Sequence, residues 1–338
     1  MSRTASFALF CCAAAVFLFA PASAPAIAPE NKKIACVLYT AQTTTTPQIP
    51  LWAALNVEAP GKLDISVEYW KNLDDLRGII LAGKGDIWVG HIEGFAQAAL
   101  RGAPITLAAV TGWKKFYFVA PPESTATDAE SLAAELREGK RQLAVAPQGS
   151  PALAVLETMR KRGGPSFAVS AMPAPHLMLE MLRGSQDCAL LPEPLVSSLA
   201  AKKPGLRIVA GLEDEFSRLY GGPARLPWAG VAVNTRFAAE HPEIVGRLVR
   251  DMARCAARLA GDPSAAIDVL PEEVKKNTGT DIIRASLARD MIFAAPAAEV
   301  KEEIAAFLRM ALPDRGAADA SRISALLEGD FLFREKRR

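Results

Sequence analysis

The stretch Leu81-Ala82-Gly83-Lys84-Gly85-Asp86-Ile87-Trp88-Val89-Gly90-His91-Ile92-Glu93-Gly94 holds the pattern that decides the fold. Gly83 stops a helix whose apolar residues Leu73, Leu76, Ile79, Ile80 and Leu81 recur at helical spacing. Asp86–Gly90 reads as a short strand, and Phe95–Leu100 as the helix after it. Working toward the amino end, Leu63–Tyr69 alternates like a strand and Leu51–Leu55 reads as a helix. Ile34–Tyr39 reads as a buried strand, followed by the polar loop Thr40–Gln48; on the carboxyl side, Ile105–Val110 is a further strand. Such a βαβα series predicts a mainly parallel sheet covered on both faces.

A second series begins near Phe116. Strands are expected at Tyr117–Ala120, Leu143–Ala146, Phe167–Met172, Cys188–Leu191 and Leu206–Ala210, and helices at Asp128–Arg137, Pro151–Arg162, His176–Arg183 and Pro194–Ala201. Gly221-Gly222-Pro223 breaks the pattern, Trp228–Asn234 reads as one more strand, and the chain after Arg236 is almost wholly helical. Ile244, Leu248, Met252, Cys255 and Leu259 make one apolar stripe; Val300, Ile304, Phe307 and Leu308 make another. Those stripes need a surface to cover, and a return to the first series supplies one. Two crossovers, near Thr111–Lys115 and Pro227–Val231, would then join two α/β lobes across a closing cleft. The expected division is residues 30–114 with 229–338 as lobe 1, and 115–228 as lobe 2.

Composition narrows the function classes. The chain has 338 residues, half of them hydrophobic, enough for a large core and too apolar for disorder. Its 39 basic and 37 acidic side chains leave a net charge of +2, which gives no basic excess for binding nucleic acid. Mean hydropathy is +0.14, and much of the excess lies in Ala5–Ala20. That run is shorter than the roughly 20 residues of a spanning helix. Arg3 precedes it and small residues follow, so residues 1–26 read as a signal peptide cut after Ala26, and the mature chain as exported, in the periplasm or on the outer face of the cytoplasmic membrane. Its remaining cysteines, Cys36, Cys188 and Cys255, read as buried thiols rather than a metal site, with a single Cys36–Cys255 bridge as the alternative in an oxidising compartment.

The chain also resembles a known family. The matching stretches are Leu81–Gly90 and Gly102-Ala103-Pro104-Ile105-Thr106-Leu107, then Leu143-Ala144-Val145-Ala146-Pro147-Gln148-Gly149-Ser150, then Met181-Leu182-Arg183-Gly184-Ser185-Gln186-Asp187 running on to Pro192-Glu193-Pro194. On these it is similar to bacterial substrate-binding proteins of ABC importers, in the nitrate/sulfonate/taurine and thiamine-precursor branch. The resemblance implies an α/β, two-lobed type II periplasmic-binding-protein fold, with two interlobe crossovers and a helical C-terminal region packed on lobe 1. It implies capture of a small polar organic molecule without catalysis, metal or cofactor. An ABC permease and its ATPase subunit are the expected partners, and a monomer the expected state. An enzyme on the same fold, or a sensor that presents ligand, is the alternative. Two loops depart from the family pattern: Ala41-Gln42-Thr43-Thr44-Thr45-Thr46-Pro47 stands where serine or glycine is common, and His91-Ile92-Glu93 where small residues are common.

Candidate ligand contacts follow, each with a plainer alternative. Gln42, Thr43 and Thr44 precede a helix and can bind an oxyanion or cap that helix. His91 and Glu93 follow a strand and open a helix; they can meet a polar ligand, or Glu93 can simply favour the helix dipole. Trp113 and Trp228, at the two crossovers, can stack on ligand or pack the hinge. Gln148 and Ser150 lie at a strand-to-helix turn that can hold an anion or form a cap. Glu193 faces either the cleft or a structural hydrogen bond. The pair Glu93 and Glu193, one from each lobe, points to a ligand with N–H donors or positive charge.

Overall fold

The computed structural model describes residues 33–43, 46–57, 63–312 and 317–335. The expected signal segment and Thr44 lie outside them. The first elements follow the sequence pattern closely: β1 (Ile34–Ala41), α1 (Ile49–Asn56), β2 (Leu63–Trp70), α2 (Leu73–Leu81), β3 (Ile87–His91), α3 (Ile92–Leu100) and β4 (Ile105–Gly112). Local chemistry sets their ends. Asn72 caps α2 by accepting from the Asp75 N–H at 2.9 Å. Gly85 sits at φ 92°, where a Cβ would meet the Tyr39 ring at 2.7 Å, so only glycine fits before β3. Asp86 then pins β3 beside β1, its carboxylate accepting from the Val37 N–H at 2.9 Å.

The second series gives β5 (Phe116–Ala120), α4 (Ala129–Glu138), β6 (Leu143–Val145), α5 (Ala152–Lys161), β7 (Val169–Ala171), α6 (Ala174–Arg183), β8 (Ala189–Pro192), α7 (Leu195–Lys202), β9 (Arg207–Gly211) and α8 (Leu212–Tyr220). Then come β10 (Ala229–Asn234), α9 (Thr235–Glu240), α10 (Pro242–Leu259), α11 (Pro263–Asp268), α12 (Glu272–Thr278), α13 (Thr280–Leu287), β11 (Ala295–Pro296), α14 (Lys301–Ala311) and α15 (Ala317–Glu328). α8 and β11 are absent from the sequence reading. β11 is two residues long and carries no periodicity to detect.

The strands form two sheets, ordered β11-β4-β10-β3-β1-β2 and β7-β6-β8-β5-β9. The sheets are mixed rather than mainly parallel, which corrects the expectation. β1 pairs in parallel with β2 and β3, but β10 runs antiparallel between β3 and β4, and β11 is antiparallel on β4. In the second sheet β5 is antiparallel to β8 and β9, while β6 is parallel to β7 and β8. The reason is the route: the chain leaves the first sheet after β4, builds the second, and re-enters by β10 from the opposite direction. Crossing segments 113–115 and 221–228 are hydrogen-bonded together, Leu226 N–H to the Trp113 carbonyl at 2.8 Å and Trp228 N–H to the Gly112 carbonyl at 2.9 Å. Of the expected return crossing Pro227–Val231, only Pro227 and Trp228 belong to it, because Ala229–Val231 are already in β10. Gly230 in β10 lets the strand close on β4, since a Cβ there would lie 2.3 Å from the Ala109 carbonyl oxygen.

One hydrophobic core runs through both sheets, joining Trp88 and Phe95 to Phe116, Phe118 and Leu190, with Phe307 and Leu308 of α14 included. A second core lies under α10, where Val245, Leu248 and Met252 meet Ile49, Leu51 and Trp52 of α1. The C-terminal helices thus cover the first sheet as expected, yet they also reach the second: α13 packs on α7, and α14 on α5. The tail continues along β4, with Leu107 N–H donating to the Phe331 carbonyl at 2.6 Å and Phe333 N–H to the Leu107 carbonyl at 2.9 Å. Cys36, Cys188 and Cys255 are free and buried, and burial pushes the Cys36 and Cys188 thiols up to about 12. Among the described residues no helix is long and apolar enough to cross a membrane.

Candidate functional site

Open α/β sheets leave room beyond the carboxyl ends of their strands. There, a cleft of about 490 Å³ opens between α2 and α3 of the first sheet, the Gly149–Pro151 turn and α5 of the second, and the end of α14. Glu93, Gln97 and Arg77 form one wall, Gly149, Ser150, Leu153, Glu157 and Lys161 the other, and Arg309–Leu312 the rim.

Glu93 is the distinctive wall residue. It stands in the first turn of α3, only 3% exposed, and neither carboxylate oxygen accepts a hydrogen bond. A buried carboxylate without donors is costly, and native proteins rarely tolerate one without a use. His91 Nδ1 lies 3.6 Å from Glu93 Oε1 and is itself without a partner. The Arg77 Nε, beside the same cleft, is likewise buried and unpaired.

Behind the cleft lies a group of charges that sequence reading missed. Lys115, in the first crossing segment, is 6% exposed; burial lowers its ammonium pKa, against the pull of Asp290, Glu93 and Glu213. Glu213 is fully buried, and burial pushes its carboxyl up to about 7 although Oε1 accepts from Lys115 N–H (2.8 Å), Phe116 N–H (3.3 Å) and Trp228 Nε1 (2.6 Å). Burial also raises Asp290 to about 7; the buried Thr46 hydroxyl faces it without completing hydrogen-bond geometry. Nothing in the local pattern marks Glu213 or Asp290, since each lies in an ordinary helical or loop context. The Lys114-Lys115 pair at the first crossover was the one available signal.

The expected contacts distribute unevenly. Glu93 and Ser150 share the cleft, His91 adjoins Glu93, and Gln148 is exposed on the same turn as Ser150. Ser150 Oγ also accepts from the Ala152 N–H at 3.2 Å, so it caps α5 as well. Gln42 and Thr43 lie apart from this cleft, against α12: Gln42 Nε2 reaches Glu273 at 3.5 Å, and the Thr43 carbonyl accepts from Thr278 at 3.4 Å.

Trp113 is wholly buried, with the Arg225 guanidinium 4.6 Å from its ring centre and Phe293 at 5.5 Å. Trp228 packs on Phe116 and Phe307 and bonds Glu213, so both tryptophans pack the crossings. Glu193 is taken up structurally. Its Oε1 accepts from Arg289 Nε at 2.9 Å and Ser197 Oγ at 3.1 Å, and its Oε2 from the Ser197 N–H at 3.1 Å. Arg289, which sequence reading also missed, thereby ties the segment after α13 to α7.

Neither a protein-family model nor a curated protein matches the sequence. Solved structures do match. The chain is similar to an ABC transporter from Parabacteroides distasonis, at 17% identity and a TM-score of 0.64, over 90% of this chain and 100% of that one. It is similar to the periplasmic aliphatic sulphonate binding protein SsuA of Escherichia coli at 14% identity and a TM-score of 0.63, over 90% and 93%. A third likeness, to the periplasmic nitrate-binding protein NrtA of Synechocystis PCC 6803, has 12% identity and a TM-score of 0.63, over 87% and 86%. The chain has the fold of these solved structures, as the resemblance to substrate-binding proteins implied.

Proposed function

We propose that this chain is an exported solute-binding protein: it captures a small polar organic molecule in the cleft and delivers it to the permease and ATPase subunits of an ABC importer. In that reading residues 30–114 and 229–338 form one lobe, residues 115–228 the other, and the monomer closes about the crossing segments. The observation that carries it is the wall of the cleft. α3 from the first sheet and the α5 turn from the second supply polar groups to one space, with Glu93 buried and unpartnered at its inner side. A site built from two sheets is suited to binding by closure. The likeness to an ABC transporter and to periplasmic sulphonate- and nitrate-binding proteins supports the transport role.

Native mass spectrometry of the purified chain, before and after mild release, tests the reading. A small molecule carried through purification, whose return raises the melting temperature, is expected; saturation at 100 times its Kd adds about 2.7 kcal/mol. Turnover of that molecule to a product would overturn the non-catalytic reading.

A further inference from the structure

We propose that the captured solute presents a nitrogen-centred donor group, an ammonium, amidinium or guanidinium head, to the Glu93 carboxylate; this rests on the solute-capture reading and narrows its substrate class. Glu93, 3% exposed on the wall of the cleft, has two oxygens that accept no hydrogen bond from the protein, with His91 Nδ1 standing 3.6 Å from Oε1. Charge-assisted N–H···O bonds to both would supply what the folded chain leaves unmade. Lys115 does not cancel this demand, because Asp290 and Glu213 compete for the same ammonium. An anionic head would instead be set against an unneutralised carboxylate in a place of low dielectric.

The rest of the cleft orients the molecule. Lys161 and Arg309 are exposed toward the outside, and Arg77 is half-buried between, with its Nε unpaired. Leu153, Met310 and Leu312 supply apolar wall. A solute would therefore enter nitrogen head first, leaving an apolar or acceptor-bearing tail beside the arginines. Glu93 and His91 do not suffice for a metal ion: among the described residues no three His, Cys, Asp or Glu stand together as a ligand set. Glu193, which the sequence pairs with Glu93 as a second acidic contact, has its carboxylate filled by Arg289 and Ser197, so the head meets one acid and not two.

Benzamidine, benzamide and benzoate share one ring and differ in the charge of the head, so they separate the possibilities. In titration calorimetry at pH 7.5, benzamidine should bind the purified chain, benzamide at least about tenfold more weakly, and benzoate not measurably. Glu93→Gln should weaken benzamidine by about 10- to 100-fold while leaving the melting temperature of the solute-free chain equal or higher, since a buried unpartnered charge is removed. Benzoate binding as well as benzamidine, absence of benzamidine binding, or binding indifferent to Glu93→Gln would each overturn the proposal. The wild-type comparison alone decides if the variant fails to fold. An anion without basic nitrogen, identified by mass spectrometry in the purified chain, would overturn the proposed class yet leave solute capture standing. A chain that carries nothing and responds to no small molecule would bring down the capture reading as well.

Discussion

At the level of single residues, Glu213 shows how burial and hydrogen bonding compete. Three donors converge on Oε1, which favours the carboxylate, yet Oε2 has no partner and burial wins, raising the carboxyl to about 7. Asp290 behaves alike. Acids raised in the folded state bind more protons there than in the unfolded chain between pH of about 4.5 and 7, so their contribution falls as pH rises through that window and levels above it. Asp128 and Glu135 are shifted the other way, held low by hydrogen bonds from Ser131 and from Ser124 and Thr125, so their contribution is lost in acid. The melting temperature should therefore peak near about pH 5, decline toward pH 7 and then flatten. Glu213→Gln keeps the acceptor oxygen and removes the charge; calorimetry from pH 4 to 8 should show the decline reduced by roughly half. An unaltered slope would mean that Glu213 is not one of its sources.

At the level of elements, the sequence pattern recovered β1–β10 and α1–α7, because buried apolar runs and helical stripes show in sequence, but it left the C-terminal helices largely undivided and missed what depends on pairing. Strand periodicity says which face is buried but not which neighbour lies alongside, so the insertion of β10 between β3 and β4 was illegible. The candidate site divides the same way. Glu93 and Ser150 were legible because strand-to-helix turns are visible in sequence; Lys115, Glu213 and Arg289 were not, because their significance comes from residues far along the chain. The bridge from Arg289 to Glu193 is such a case. It joins the end of α13 to the start of α7, and the Arg289 carbonyl also accepts from the Tyr117 hydroxyl. Removing one partner of a buried pair strands the other, so Arg289→Ala should cost about 3 kcal/mol in urea unfolding at unchanged m. Adding Glu193→Gln should recover about 1 kcal/mol or more of that loss. If Arg289→Ala alone leaves the midpoint unchanged, the bridge does not hold these helices together.

At the level of the whole molecule, two sheets do not amount to two independent bodies. The core passes from Trp88 and Phe95 through Phe116 and Phe118 to Leu190, and α14 adds Phe307 to it. Heating should therefore produce one calorimetric transition, with van't Hoff and calorimetric enthalpies agreeing, and two resolved peaks would contradict a shared core. The inserted strand has a further consequence, for the order in which the protein is made. Among the described residues β4 finds its strand partners in β10 and β11, with the tail at Leu332 bridged to Leu107, and β3 gains its second partner in β10. As synthesis proceeds from the amino end, these strands must wait while the whole second sheet is added, and pairing over such long separations is slow. His91 and Glu93 belong to this earliest third of the chain, yet the wall they help to build closes last. A nascent chain that stops before residue 229 already contains both residues and still has no completed sheet to hold them.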